Sequence, residues 1–144
     1  MDHIAIMKKE WGLLPKILSG VKTVEARWYK SKIAPWGKIK AGDTIYFKDS
    51  GGPVSVKAAV TNVTQYEITS NQQALEIMSQ YAIDDLGTSE IPESVKNYIT
   101  EKKYAIFVRF DRVEKITPFE VDKTGFGLQC VWMRVENIKN RTNL

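Results

Sequence analysis

Hydrophobic and polar positions alternate most cleanly at residues 54–61. There Val54, Val56, Ala58 and Val60 fall on one side, and Ser55, Lys57, Ala59 and Thr61 on the other. A period of two sustained over eight residues predicts a half-buried β-strand. Residues 44–48, with Ile45 and Phe47 on one face, predict its hairpin partner, and Asp49-Ser50-Gly51-Gly52-Pro53 between them supplies the turn. Residues 3–7 alternate well enough for a first strand. The spacing then changes. Trp11, Leu14 and Leu18, widened by Leu13 and Ile17, recur at helical period, with Pro15 tolerated near the start and Gly20 as the stop. A second strand is predicted at 23–29, followed by a basic loop at 30–42 that contains Pro35-Trp36-Gly37.

In the second half, Ser70 and Gln73 form a candidate capping box ahead of the stripe Ala74, Leu75, Met78, Tyr81 and Ala82. Pro92 opens a second helical stripe of Val95, Tyr98 and Ile99. Residues 104–110 predict a strongly apolar strand. Residues 113–121 extend it or add another, confined to an edge by Pro118, and residues 128–135 predict the last strand. The order is β-α-β-β-β, two helices, then β-β-β. Hairpin connections between short strands predict an α+β fold built on a small mixed or antiparallel β-barrel with flanking helices. No repeat or linker divides the chain, so residues 1–144 are expected to form one domain with a helical insertion at about 70–103.

Composition removes several function classes. The chain has one cysteine, Cys130, and one histidine, His3. An internal disulfide is therefore excluded, no Cys/His cluster has zinc spacing, and a His-dependent nucleophile would have to use an N-terminal residue read here as mobile. Neither a Walker loop nor a dinucleotide fingerprint occurs, and Gly125-Phe126-Gly127 reads as a turn. Asp84-Asp85 reads as a solvated acidic pair. No cofactor or resident metal is expected, with a divalent cation entering only if the chain is a nuclease. No apolar run reaches the roughly 18 residues of a membrane span, and Met1-Asp2-His3 lacks the pattern of a signal peptide, so the expectation is a cytoplasmic protein without a membrane partner.

The net charge of +4 is unevenly distributed. Residues 1–72 hold 11 Lys/Arg against 6 Asp/Glu, and residues 73–144 hold 10 against 11. The N-terminal half is thus the surface for an anionic partner. Within it, Lys22, Glu25 and Arg27 place an acid between two bases. Glu25 and Arg27 share a strand face, and the long Lys22 stem can swing round from the turn beside Gly20. Such a group is either a structural ion pair or a polar pocket. Nearby cations favour the Glu25 carboxylate, which makes it a fixed acceptor or weak base. Trp36 and the lysines around it suit a single-stranded nucleic acid or read as a solvated face. Trp28, Trp11 and Trp132 read as core.

Gly20-x-Lys22-x-x-Glu25-x-Arg27, preceded by an apolar helix and followed by Lys40-Ala41-Gly42-Asp43-Thr44-Ile45-Tyr46-Phe47, resembles the GxKxxExR motif and Gly-Asp strand entry of ASCH domains. The resemblance covers about residues 3–66 well and the last strands loosely. It implies a PUA-like β-barrel with flanking helices, a cleft beside the motif, and an RNA-related role. In one branch that hydrolyses N4-acetylcytidine, a threonine nucleophile occupies the position of Glu25, while a lysine stands where Lys22 does. Only the lysine carries over to this chain.

The resulting expectation is a binding domain for RNA or a nucleotide- or nucleoside-like ligand. Lys22, Glu25 and Arg27 would contact it, with Trp36, Asp49 and Ser50 bordering the entrance. A hydrolase acting on RNA or a modified nucleoside, with Lys22 and Glu25 as catalytic groups, is the alternative. A protein-interaction domain with a purely structural ion pair is the third. The oligomeric state is left open.

Overall fold

The computed structural model describes residues 1–127 and 130–142. Six strands form one sheet: β1 (Asp2–Met7), β2 (Val24–Tyr29), β3 (Thr44–Asp49), β4 (Val54–Glu67), β5 (Tyr104–Phe119) and β6 (Trp132–Val135). Their spatial order is β2-β5-β4-β3-β1-β6. Only the β1–β3 pair is parallel; the other four pairs are antiparallel. β4 and β5 run together along their length, with register shifts at Val54/Val56, Lys57/Ala59 and Val60/Asn62. Bulges of this kind bend and twist a ladder, and the sheet curls into the half-barrel that the alternation predicted. Residues 104–119 are one continuous strand, so residues 113–119 extend the 104–110 strand rather than add another. Pro118 is accommodated because the ladder skips from Lys115 to Phe119, so its missing N–H interrupts no bond. The predicted last strand begins later than expected, at Trp132; residues 128 and 129 lie outside the described residues.

Helix α1 (Leu13–Leu18) follows a single 3-10 turn at Lys9–Trp11. Helices α2 (Asn71–Leu86) and α3 (Glu93–Ile99) occupy the segment between β4 and β5. The Ser70 hydroxyl caps α2 by accepting from Gln73 N–H, while the Gln73 side chain reaches back to Thr69 rather than to Ser70. The apolar run of β5 is explained by burial on both faces. Ile106, Val108 and Phe110 point into the half-barrel with Phe47, Val56 and Ile17, whereas Ala105 and Phe107 point outward under α2 and α3. Phe107 is stacked on Tyr81 at 3.9 Å and meets Trp28 edge-on at 5.7 Å. A third apolar group, with Ile4, Ile6, Met133 and Val135, covers the other face near β1 and β6.

Gly87 closes α2 with φ +77°, its N–H donating to Ile83 O at 2.9 Å. A Cβ added there would lie 2.6 Å from Val21 Cγ1. Gly87→Ala is therefore expected to cost about 1–2 kcal/mol from the left-handed backbone alone. An unchanged midpoint in denaturant unfolding would contradict this.

Candidate functional site: a buried ion cluster at the seam of the half-barrel

The motif lies where α1 hands the chain to β2. Gly20, at φ +82°, turns the chain out of the helix. Lys22 N–H donates to Lys16 O at 3.0 Å, and Thr23 N–H to Asp84 O at 2.7 Å, which pins the turn against the C-terminal end of α2. Strand alternation then sends Val24 and Trp28 outward beneath α2 and α3 and leaves Glu25 and Arg27 together on the opposite face, as the spacing required.

Lys22 is only 1% exposed. Its ammonium Nζ lies 3.2 Å from Glu25 Oε1, forms an ion pair with Asp85 Oδ1, and donates to Asp85 O at 3.0 Å and Val24 O at 2.6 Å. Glu25 Oε2 accepts from Arg27 Nη2 at 3.1 Å. Arg27 continues across to the far edge of the sheet, its Nη2 donating to Ile6 O at 3.2 Å and its Nη1 to Val131 O at 3.0 Å. Among the described residues no strand ladder joins β2 to β6. The guanidinium thus bridges the open seam of the half-barrel with side-chain donors, and it packs 5.1 Å from the centroid of the Trp132 ring.

Two cations and two carboxylates make the cluster electrically neutral. Burial works against the Lys22 ammonium, but Glu25 and Asp85 outweigh it and hold its pKa above the usual lysine value. Burial likewise opposes ionisation of Glu25, and Lys22 and Arg27 outweigh it, so the carboxyl titrates below its usual range. Asp85 goes the other way. Burial pushes its carboxyl up, Glu25 adds to the shift, and Lys22 opposes it. This direction is the opposite of the lowered pKa that a water-activating lysine requires.

Two cavities open on the cluster. One, of about 100 Å³, is walled by Trp11, Leu13, Met7 and Tyr98, with Glu25 and Arg27 among its lining residues. The other, of about 40 Å³, shares Trp11, Leu13, Glu25 and Tyr98 and reaches Lys22 and Asp85. Of the residues expected at the site, Lys22, Glu25 and Arg27 are brought together. Trp36 is not brought to the cleft: it is half-buried and packed edge-on against Tyr104 at 5.0 Å. Asp49 and Ser50 lie in a separate depression with Lys9 and Leu14.

Three readings of single residues are corrected. Asp85 is buried, not solvated, because it continues the Met78–Ala82 face of α2 one turn further and finds Lys22 there; only Asp84 is partly exposed, paired with Arg109 at 3.0 Å. An acid on the buried helical stripe was the signal available in the sequence. Trp11 is 37% exposed, a wall of the cleft rather than core. His3 is fully buried in β1, not mobile. Its Nδ1 accepts from Trp132 Nε1 at 3.0 Å, which leaves Nε2 to donate to Asp43 Oδ2 at 2.9 Å. Among the described residues no group of three or more His, Cys, Asp or Glu is arranged to hold a metal ion, and no helix is long and apolar enough to cross a membrane.

The chain matches no family model and no curated protein in sequence. It is similar in structure to the crystal structure of ASCH from Zymomonas mobilis, with a TM-score of 0.66 at 16% identity over 96% of this chain and 90% of that one. Crystal structures of two single-residue variants of that protein match at TM-scores of 0.66 and 0.68, with 16% and 15% identity, over 96% of this chain and 93% and 91% of theirs. The fold is therefore that of ASCH domain proteins.

Proposed function

We propose that this protein binds RNA or a nucleotide-like ligand, with an uncharged, base-like part entering the seam cleft. One observation carries this reading. The Glu25 carboxylate lines an aromatic-walled cavity, is held ionised, accepts from Arg27 on Oε2 and is ion-paired with Lys22 on Oε1, so acceptor capacity on each oxygen is unused. Lys22 has four acceptors for three protons and none to spare, so its part is to fix Glu25. Arg27 gives one Nη1 hydrogen to Val131 O and shares its two Nη2 hydrogens among Glu25, Ile6 and the weak Met7 sulfur, so that Nε–H and the second Nη1–H are unused. A neutral cluster offering both acceptors and donors suits the amide-like edge of a base better than a phosphate. A cavity of about 100 Å³ compares with about 150 Å³ for an engineered cavity that takes benzene, so it admits part of a single ring. The ASCH-like motif and fold support the same class of ligand.

Calorimetric titration of cytidine, uridine and their 5′-monophosphates tests this. Glu25→Gln, checked for folding by circular dichroism, is expected to weaken binding roughly ten- to hundredfold. Equal affinity in the variant, or no binding by any of the four, would overturn the proposal. A second reading, hydrolysis of a ligand in the same cleft, is favoured by the smaller cavity. Its roughly 40 Å³ beside Glu25 and Asp85 has room for a water, and those two carboxyls are pushed in opposite directions, as acid–base pairs are. Product from labelled RNA or acylated nucleosides that disappears in Glu25→Gln would select it.

A further inference from the structure

The ion cluster is neutral, but the mouth above it is not. Lys8 Nζ lies 5.0 Å from the Trp11 ring centroid and 5.9 Å from that of Tyr98. Lys102 Nζ sits 4.9 Å from the same Tyr98 ring. Trp11 and Tyr98 meet edge-on at 5.9 Å and 88°, so two ammonium groups flank one aromatic corner of the cleft. Lys30 is brought to this group by the backbone: Tyr29 O accepts from Lys103 N–H at 2.9 Å, which sets the residue after β2 beside the Lys102–Lys103 segment, and burial followed by the charges of Lys30 and Lys8 pushes the Lys102 ammonium below the usual lysine range. Among the described residues none of the three has a carboxylate within ion-pairing distance, whereas Lys32, Lys57 and Arg109 do. Concentrated like charge without counter-charge destabilises the free protein and is relieved by an anion. Alternation of cations with an accessible aromatic face is the arrangement that holds a nucleic-acid strand, phosphates on the lysines and a base on the ring. We infer that Lys8, Lys30 and Lys102 form a phosphate clamp at the mouth of the cleft, so that the ligand arrives as a nucleotide within a single strand of RNA and not as a free nucleoside.

This rests on the cleft being a base-binding site, and the experiment keeps the two apart. The probe is a fluorescein-labelled, mixed-sequence, 12-nucleotide single-stranded RNA, titrated by anisotropy from 50 to 300 mM NaCl. Lys30→Ala with Lys102→Ala, neither of which lines the cavities, is expected to reduce the slope of log affinity against log salt by about 1.4, two contacts at about 0.7 each. Lys30→Arg with Lys102→Arg is expected to restore the slope. Free uridine reports the cleft separately, through Glu25→Gln. An unchanged slope in the alanine pair while uridine still binds would overturn the clamp and leave the cleft reading standing. Absence of RNA binding at 50 mM NaCl would overturn the clamp outright, as would equal competition by poly-glutamate, which would assign the lysines to an acidic protein instead.

Discussion

Replacing Lys22 by methionine is expected to lower thermal stability more than any other single change in the site. Removing one partner of a buried ion pair costs about 3–5 kcal/mol, because the charges left behind have neither water nor a counter-ion. At this chain length that corresponds to a fall in Tm of order 10 °C or more. Methionine fills the volume of the lysine stem, so the loss is electrostatic rather than a cavity. Two further measurements identify the cause. In the variant the Asp85 carboxyl faces Glu25 without the ammonium between them, so its pKa in the folded state rises further above the unfolded value. An acid with a raised folded pKa destabilises only when ionised. The deficit against the parent protein is therefore expected to grow as pH rises above about 4, the unfolded carboxylate value, and to shrink towards it. Adding Asp85→Leu to Lys22→Met removes the stranded charge and is expected to recover much of the stability, since a buried pair exchanged for apolar groups is often neutral. A deficit that is independent of pH, together with no recovery in the double variant, would rule out the ion cluster as the cause.

The same cluster dissolves the choice between a structural pair and a pocket that the spacing of Lys22, Glu25 and Arg27 posed. The roles divide by hydrogen-bond capacity. Lys22 is saturated and holds the turn, β2 and α2 together; Arg27 spends most of its donors on carbonyls of the opposite sheet edge; Glu25 alone has acceptor capacity facing the cavity. A substitution at Lys22 is thus expected to act on stability alone, whereas Glu25→Gln, which also removes a buried charge between Lys22 and Arg27, is expected to change stability and, under the proposed function, ligand binding as well.

What could be read from the sequence was local. The alternation at Val54 to Val60 and the turn after Asp49 required only neighbouring residues, and they gave β4, β3 and the hairpin between them. The motif spacing placed Glu25 and Arg27 on one face for the same reason. What could not be read depends on distant registers. Asp85 reaches Lys22 across 63 residues, and Arg27 reaches Val131 across 104. Neither contact follows from periodicity: the first depends on where α2 packs against the start of β2, and the second on how far the bulged β4–β5 pair curls the sheet before its edges approach. A Pro/Gly loop suggests exposure for Trp36 at the entrance, yet Tyr104 and the inner core take it up. Trp11 was placed in the core by its helical spacing, but the chain leaves a 3-10 turn there before α1 begins, which turns the indole towards the cleft.

His3 was the residue furthest from its expected setting, and it carries the second large prediction. The imidazole is enclosed between Trp132 and Asp43, with the unprotonated Nδ1 already taken by the indole N–H. Protonating it would set two donors against each other inside the core. Burial lowers its pKa most; Arg134 and the N-terminal ammonium add to this, and Asp43 opposes it. A histidine with a lowered folded pKa contributes stability that is complete above its unfolded pKa of about 6.5 and is lost as pH falls from there towards the folded value. Within that window the unfolded chain binds one proton more than the folded one, so unfolding free energy is expected to fall by up to about 1.4 kcal/mol per pH unit. His3 is the only histidine in the chain; Glu25 and Asp43, both shifted down, lose their contributions only at lower pH, and Asp49 and Asp85, both shifted up, act with the opposite sign but are common to the parent protein and a His3 variant. Denaturant unfolding between pH 7.5 and 5 should therefore show this slope as a difference between the parent protein and His3→Gln, while proton NMR should place the midpoint of the ring's titration in the folded protein below the unfolded value of about 6.5. The same slope in the parent and in His3→Gln would mean that the imidazole accepts its second proton within the fold and that the Trp132–His3–Asp43 chain does not fix its tautomer.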